Sequence, residues 1–553
     1  MVAAKTAKAA EAGVAMLRAG GNAVDAAVAT AFAAGVAEPW MNGLGGGGYL
    51  VAHLPIRDET VVVEYPMVAP AAATPGMFPL SGAGFDGSLF GWPATEGNAN
   101  VVGHRAAAIP GTVAGLALAL DRYGTLPLTT VMEPAITLAE DGVPITWHTT
   151  LTIARDLANL RRFPATAAVF LDIAGNPPSS IEQTNLPLLR QFDLAKTLRQ
   201  IAADGPAAFY EGEFAAAAVQ HLGELGGLHS LADYADYTAN VVPALTVPYR
   251  AANVHTVGNG SGGTSLGQTL RLLAALDLCG NGPNSPATLH LLAQAFGVAF
   301  ADRFAYLADP EHVDVPLEAL LSADYANERA EMIDQIALDG RPRAGDRDRL
   351  DVAHDLPASV PEYVADGSTT HLGAIDRDGN VVSLTQTLLS GWGSRVVVPG
   401  TGVLLNNGMM WFDPEPGRPN SVAGGKRPLS NMAPAIVTGQ GWSASIGASG
   451  GRKIQNCIAQ LVVNLVDFEM GMQEAISAPR IDASDRSLAV SARLPIETRE
   501  RLAALGHDLS VRDEHLFTGD FASPVGIHRA ADGTLTGGAD PFYFPATVIG
   551  LDD

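Results

Sequence analysis

The chain has 553 residues, 47% of them apolar and 17% charged, a globular composition with the length to bury a large core. Its formal net charge of −24 argues against polyanionic partners, so neither nucleic acid nor an anionic membrane surface is expected, and the charge serves solubility. No uncharged apolar run reaches the roughly eighteen residues a spanning helix needs.

Two cysteines, Cys279 and Cys457, imply no disulfide framework, and each lies in an apolar, helix-like stretch that places it in the core. The opening MVAAKTAKAAEAG lacks the long apolar segment of a secretory signal. A cytoplasmic location is the expectation, with periplasm or export the alternative if a leader has been trimmed.

Residues 7 to 36 carry small apolar side chains at helical spacing, broken at Gly20, Gly21 and Asn22, and predict two alanine-rich helices joined by a turn. Four glycines, Gly45 to Gly48, lead into a strand over Tyr49 to His53. Such a run marks a tight turn or a close backbone approach, and without a following Gly-Lys-Ser/Thr it is no phosphate cradle. A strand over Val61 to Glu64 precedes a loop rich in Pro, Gly and Ala that extends to about residue 103. Pro110 and Gly111 open a helix ending near Tyr123 and Gly124, and PAITLAEDGVPI continues as a helix and turn. Residues 150 to 240 read as mainly helical, interrupted at Asn176 to Ser179 and at Gly226 to Gly227. TVPYRAANVHTVGNGSGGTSLGQTLRLLAAL predicts a strand, a glycine loop without lysine and a long helix. A further helix carries Asp302 and Arg303, and the tract from Gly340 to Gly367 is charged and loop-like.

In DGSTTHLGAIDRDGNVVSLTQT, apolar alternation on either side of Asp378, Gly379 and Asn380 predicts two strands in a tight hairpin, with Thr369 at the start of the first. A Thr-Thr pair alone is ordinary strand material. Its context is not. TTH, D-x-x-GN, T-x-T, GS-x-VVVPG-x-G-x-LLNN and KRPLS follow in order, and the blocks at Gly45 to Gly48 and Ile109 precede them. This pattern resembles the γ-glutamyltransferase family of N-terminal nucleophile hydrolases, with matching blocks from about residue 10 to about residue 465.

The resemblance implies an α+β, four-layer αββα sandwich built from two segments of one precursor, 1–368 and 369–553, intertwined in one domain. It implies cleavage between Ser368 and Thr369, after which the large and small chains stay paired; a higher homo-oligomer is left open. Thr369 would be the nucleophile and its freed amine the base, since an unperturbed α-amine of pKa roughly 7.7 to 8.0 is partly unprotonated near neutrality. Thr387 matches the threonine that holds the nucleophile, and Gly450 and Gly451 in GASGG match the oxyanion site. His371, alternating onto the face of Thr369, is expected to support rather than to carry protons. No cofactor is expected, and the scattered His104, His148, His290 and His371 imply no metal site.

Departures from the family concern the substrate. Ser430 is kept, but Asn431 stands for a second serine and Pro66 for the arginine that would hold an α-carboxylate. Leu389, Gly408 and Trp411 stand for the asparagine, glutamine and aspartate that would hold an α-ammonium. Bonds to charged groups are worth roughly 1.5 to 3 kcal/mol each, so losing two would weaken γ-glutamyl recognition about a hundredfold. Leu389, Met409, Met410 and Trp411 would form an apolar wall, and a short loop from Phe412 to Lys426 suggests an open site.

The expected activity is cleavage of a small-molecule amide whose acyl part is not an ordinary γ-glutamyl group. The alternative is a true γ-glutamyl hydrolase or transferase of the glutathione type, with Arg105 in place of the missing arginine. A silent binding protein is the third reading. GASGG also fits a G-x-S-x-G elbow, which would need Ser449 with Asp467 or Asp482 and His507, His515 or His528.

Overall fold

Two antiparallel sheets lie face to face, each covered by helices on its outer side. This computed structural model describes residues 1–85, 92–180, 185–333, 342–346, 368–485, 487–516 and 519–551. In chain order the strands of the two sheets are β1 Val2–Ala4, β2 Gly47–Leu54, β3 Glu59–Tyr65, β4 Asn240–Pro243, β5 Leu245–Tyr249, β6 Ala252–Thr256, β7 Thr370–Ile375 and β8 Val381–Thr387. They continue as β9 Ala435–Thr438, β10 Ser443–Ser449, β11 Ser523–Arg529, β12 Leu535–Ala539 and β13 Thr547–Ile549. One sheet has seven strands in the order β13-β1-β7-β8-β2-β3-β4, the other six in the order β12-β11-β10-β9-β6-β5.

The first two helices, α1 Ala7–Arg18 and α2 Ala23–Ala37, are separated where the sequence breaks, by Gly20 at φ 86° and a capping box at Asn22. Asn22 Oδ1 accepts the N–H groups of Val24 and Asp25 at 2.8 and 3.1 Å, and Asp25 Oδ2 accepts that of Asn22 at 2.7 Å. Buried Asp25 also takes the N–H groups of Thr125 and Leu126, so it fixes the turn between α3 Thr112–Tyr123 and α4 Leu128–Asp141. These helices pack on the outer face of the first sheet, joined by α5 Phe192–Asp204. On the far side α6 Gly262–Ala274, α7 Pro286–Tyr306 and α8 Lys453–Val466 cover the second sheet. A third apolar cluster, including Val51, Val62, Val381, Ile436, Val525 and Ile527, fills the space between the sheets.

Three apolar layers between four layers of structure is the expected αββα sandwich. The interior also carries bonds from sheet to sheet: Ser383 Oγ donates to Ile446 O at 3.0 Å, and Ser445 Oγ to Val382 O at 2.8 Å.

Two expectations change. Cys457 is buried but Cys279 is exposed, in a one-turn helix after α6, where the chain leaves the core. The long loop before residue 103 contains a two-stranded hairpin, Leu80–Phe85 with Pro93–Thr95. Of the charged tract from Gly340 to Gly367, only 342–346 is within the described residues. Among the described residues no helix is long and apolar enough to cross a membrane.

Candidate active site

The β7/β8 hairpin is closed by Asp376, whose Oδ1 accepts the N–H groups of Asp378 and Asn380 at 3.0 Å each. Its Oδ2 accepts Ala23 N–H at 2.9 Å, docking the hairpin on the N-terminus of α2. Register then runs from Ile375↔Val381 to Thr370↔Gln386, so Thr369 comes opposite Thr387 at the open end. β8 continues the ladder to β2 with Thr387↔Gly47. The glycine run is the expected close approach: a Cβ on Gly46 would lie 2.3 Å from the Thr387 carbonyl oxygen.

Thr369 and Thr387 are buried, and both hydroxyls donate to one acceptor, the carbonyl oxygen of Ser368, at 2.6 Å each. The two hydroxyl oxygens are 3.3 Å apart. Leu389 N–H donates to Thr387 Oγ1 at 2.8 Å, so the Thr387 hydroxyl is oriented as a donor toward Ser368. The loop that supplies this N–H is held in unusual backbone geometry, with Leu389, Trp392 and Arg395 at φ 91°, 66° and 65°.

The opposing sheet brings in the glycine pair. Gly373 lies against Ser445 and the His371 ring against Gly447, two residues further along each strand. The same step carries Thr369 to Ser449, the last residue of β10, with Gly450 and Gly451 just beyond at φ 144° and 62°. Only glycine fits at 450, where a Cβ would stand 2.7 Å from Ala522 Cα. α8 starts directly afterward, so its positive end lies next to the glycine pair. His371 shares the face of Thr369 and bonds Thr385 Oγ1 at 2.9 Å through Nδ1. Burial, with the Lys5 charge adding to it, pushes this imidazole down to about 3, so it is neutral and structural in character.

The residues expected to contact substrate divide into two groups. Pro66 and Ser430 line one pocket together with Tyr49, Glu64, Asn259 and Arg427. Asn431 is turned away, its Oδ1 accepting from Arg303 Nη2 at 2.8 Å, because buried Arg303 also needs the Ser430 carbonyl, at 2.7 Å. Leu389, Met409, Met410 and Trp411 are 1–3% exposed and belong to the core between the sheets. The apolar wall is therefore packed interior, as buried as Thr369 and Thr387 themselves. Gly408 is closed off as well: a Cβ there would meet Ala108 Cβ at 2.8 Å and Met67 Sδ at 3.1 Å.

Arg105 is not near that pocket's polar end. Its guanidinium donates to the Met77 carbonyl and lies over the Phe78 ring. The basic group beside Pro66 and Ser430 is Arg427, which sequence reasoning passed over although it stands inside KRPLS. Its N–H donates to Asp309 at 2.8 Å and its side chain pairs with exposed Glu311 at 3.1 Å. Burial raises the Glu64 carboxyl of the same pocket, against the two bonds it takes from Asn259. Neither Glu64 nor Tyr49 carried a signal beyond its strand position.

Ser449 gains no acid–histidine pair. Asp467 bonds Tyr249 and Arg250, Asp482 bonds Asn456 and Ser484, and His507 bonds His290 at 2.7 Å. His528 lies beside Ala444, at the other end of β10, and His515 is exposed. The elbow reading fails on geometry. Among the described residues no group of three His, Cys, Asp or Glu could hold a metal ion.

Comparison with known proteins agrees with this construction. The family model for gamma-glutamyltranspeptidase matches residues 9–543. The Acylase ACY 1 proenzyme of Pseudomonas sp. (strain V22) is 37% identical over 96% of this chain and 89% of its own length. The glutathione hydrolase proenzyme of Escherichia coli (strain K12) is 34% identical over 98% of this chain and 90% of its own. Among solved structures, cephalosporin acylase from Bacillus halodurans superposes with a TM-score of 0.85 at 27% identity, covering 100% of this chain and 96% of that one. Hydroxyls converging at a hairpin end, a facing glycine turn and whole-length likeness give one conclusion: this chain belongs to the γ-glutamyltranspeptidase family, as an amide-bond hydrolase or acyltransferase with the N-terminal nucleophile hydrolase fold.

Proposed function

We propose that the chain is a self-processing acylase whose nucleophile is Thr369, acting on a small-molecule amide with an acyl group other than ordinary γ-glutamyl. The observation that carries this is the pair of hydroxyls on the Ser368 carbonyl oxygen, at 2.6 Å each. Thr387 polarises that carbonyl while Thr369 Oγ1 adds to its carbon. The C–N bond breaks, the hydroxyl proton ends on the Thr369 nitrogen, and the ester at Thr369 is hydrolysed by water to leave Ser368 with a carboxylate. The products are chains 1–368 and 369–553 and a free threonine amine beside its own hydroxyl.

With substrate the same hydroxyl attacks the amide, the amine takes its proton and returns it to the leaving amine, and water releases the acyl group. In the reaction with substrate, Gly450 and Gly451 supply N–H groups to the oxyanion. Relatives named as acylases support the acyl preference, and so does the packed interior where γ-glutamyl anchors would stand.

A second reading, γ-glutamyl hydrolysis or transfer, is favoured by Arg427, which lines the pocket between Pro66 and Ser430 and can take a carboxylate in place of the absent arginine. One screen separates them. Hydrolysis of γ-glutamyl, glutaryl, short-chain and aromatic acyl p-nitroanilides should be lowest for the γ-glutamyl compound; a clear preference for it would reverse the two readings.

A further inference from the structure

We propose that Glu38 and Lys5 are a buried positioning pair: Glu38 and the turn it opens grip both flanks of the 368/369 bond, and Lys5 holds the strand behind the oxyanion turn. The inference rests on Thr369 being the nucleophile.

Glu38 ends α2, its N–H bonded to Ala34 O at 2.9 Å, and it is fully buried. Its Oε1 accepts the Thr370 hydroxyl at 2.6 Å, while Oε2 is buried with no partner. Two residues on, Trp40 O accepts the Ser368 hydroxyl at 2.7 Å, and Met41 Sδ stands 3.1 Å from the same hydroxyl. Met41 O also takes Leu388 N–H at 3.0 Å. The single turn Glu38 to Met41 therefore holds residue 368 on one side of the bond, 370 on the other, and the residue after Thr387.

Lys5 follows β1 and is 1% exposed. Its ammonium donates to both the carbonyl and the hydroxyl of Ser523, the latter at 2.5 Å, and lies 4.9 Å from the Tyr543 ring centroid. Ser523 pairs with Ser449, and Ala522 closes on Gly450. One cation thus reaches the strand that presents the oxyanion glycines, with Glu38 as a charge partner on the nucleophile side.

Both groups titrate close to where a free threonine amine does. Burial pushes Glu38 up to about 7, opposed by the Thr370 bond and by Lys5, and pushes Lys5 down to about 8. Lys5 also faces Asp540, Glu38 and Cys457, which raise it, and Arg480, which lowers it; Tyr543 feels Glu38, and His371 feels Lys5. A carboxylate one residue from the new amine favours its ammonium form, and Lys5 disfavours it. The pair sets how much of the amine is free base.

The test compares Glu38→Gln, Lys5→Met, Thr370→Val and Thr369→Ala with the parent. Self-cleavage is followed by denaturing electrophoresis, the pH dependence of kcat/KM is measured on cleaved protein, and thermal midpoints report folding. Glu38→Gln should slow cleavage roughly tenfold to a hundredfold and move the acid limb of kcat/KM to lower pH, because the amine loses its anionic neighbour. Lys5→Met should move that limb to higher pH. Parental cleavage with unmoved limbs, or limbs moving together, overturns the pairing. Should the charge variants not fold, Thr370→Val decides: slowed cleavage at an unchanged midpoint supports the grip, and parental cleavage overturns it. An active Thr369→Ala would instead sink the nucleophile assignment itself.

Discussion

The open end of the β7/β8 hairpin and the turn from Gly408 to Trp411 are both buried, yet one is crowded with hydroxyls and the other with methyl and sulfur groups. At the hairpin, Thr369, Thr387 and Ser368 are locked by bonds of 2.6 to 3.3 Å, with Leu389 N–H setting the direction. At the turn, Met409, Met410 and Trp411 disappear into the core, and Gly408 leaves no room even for a methyl group. Cleavage geometry and recognition are therefore separable. The first needs donors and acceptors at bonding distance, while the second can be lost to packing without disturbing it.

The strongest way to break this comparison is Thr369→Ala, which should leave one full-length band and lower amide hydrolysis by at least about 10³-fold, with the fold intact by circular dichroism. Two active chains from that variant would remove the hairpin's special status. Thr387→Val deletes the second donor and strands Leu389 N–H, so self-cleavage should slow roughly tenfold to a hundredfold in a time course of band conversion.

On the recognition side, Gly408→Gln puts back the amide of the γ-glutamyl enzymes. Overpacking against Ala108 and Met67 should cost about 1 to 3 kcal/mol in chemical denaturation without creating γ-glutamyl activity. A gain of that activity would mean the turn is a usable site. Arg427→Met should raise KM about tenfold for acyl groups bearing a carboxylate and leave kcat and neutral acyl substrates unchanged, measured by steady-state kinetics.

The smallest effect sharpens the contrast through pH. His371 titrates at about 3 when folded and at about 6.5 in the unfolded chain, so below pH 6.5 the unfolded chain takes up the proton first. Its contribution is complete above pH 6.5 and is lost as pH falls toward 3. The difference in Tm between parent and His371→Gln should narrow over that window, whereas the Gly408→Gln difference should not depend on the protonation of position 371.

Local order was legible in the chain because it is carried by neighbouring residues. The glycine break before α2, the Asp-Gly-Asn turn and the alternation through β7 and β8 each have their physical cause within a few positions. The candidate site residues could be named only where a motif pointed to them, at Thr369, Thr387, Gly450 and Gly451. Burial was harder to read. Cys279 and Cys457 sit in similar apolar runs, and only the packing of α8 against the second sheet, with Cys279 left beyond α6, separates them. Arg105 and Arg427 are equally basic on paper, but one folds onto Met77 and Phe78 while the other turns into the pocket of Pro66 and Ser430.

By itself the sequence determined the strands β2, β3, β7 and β8 and the turn chemistry between the last two, since hydrophobic period and turn residues act over short range. Tertiary structure alone decided which side chains share a cavity, that the apolar wall is interior, and that a lysine at position 5 meets a serine at position 523. Such contacts come from two sheets closing on each other, and spacing along a chain does not encode distance across a core.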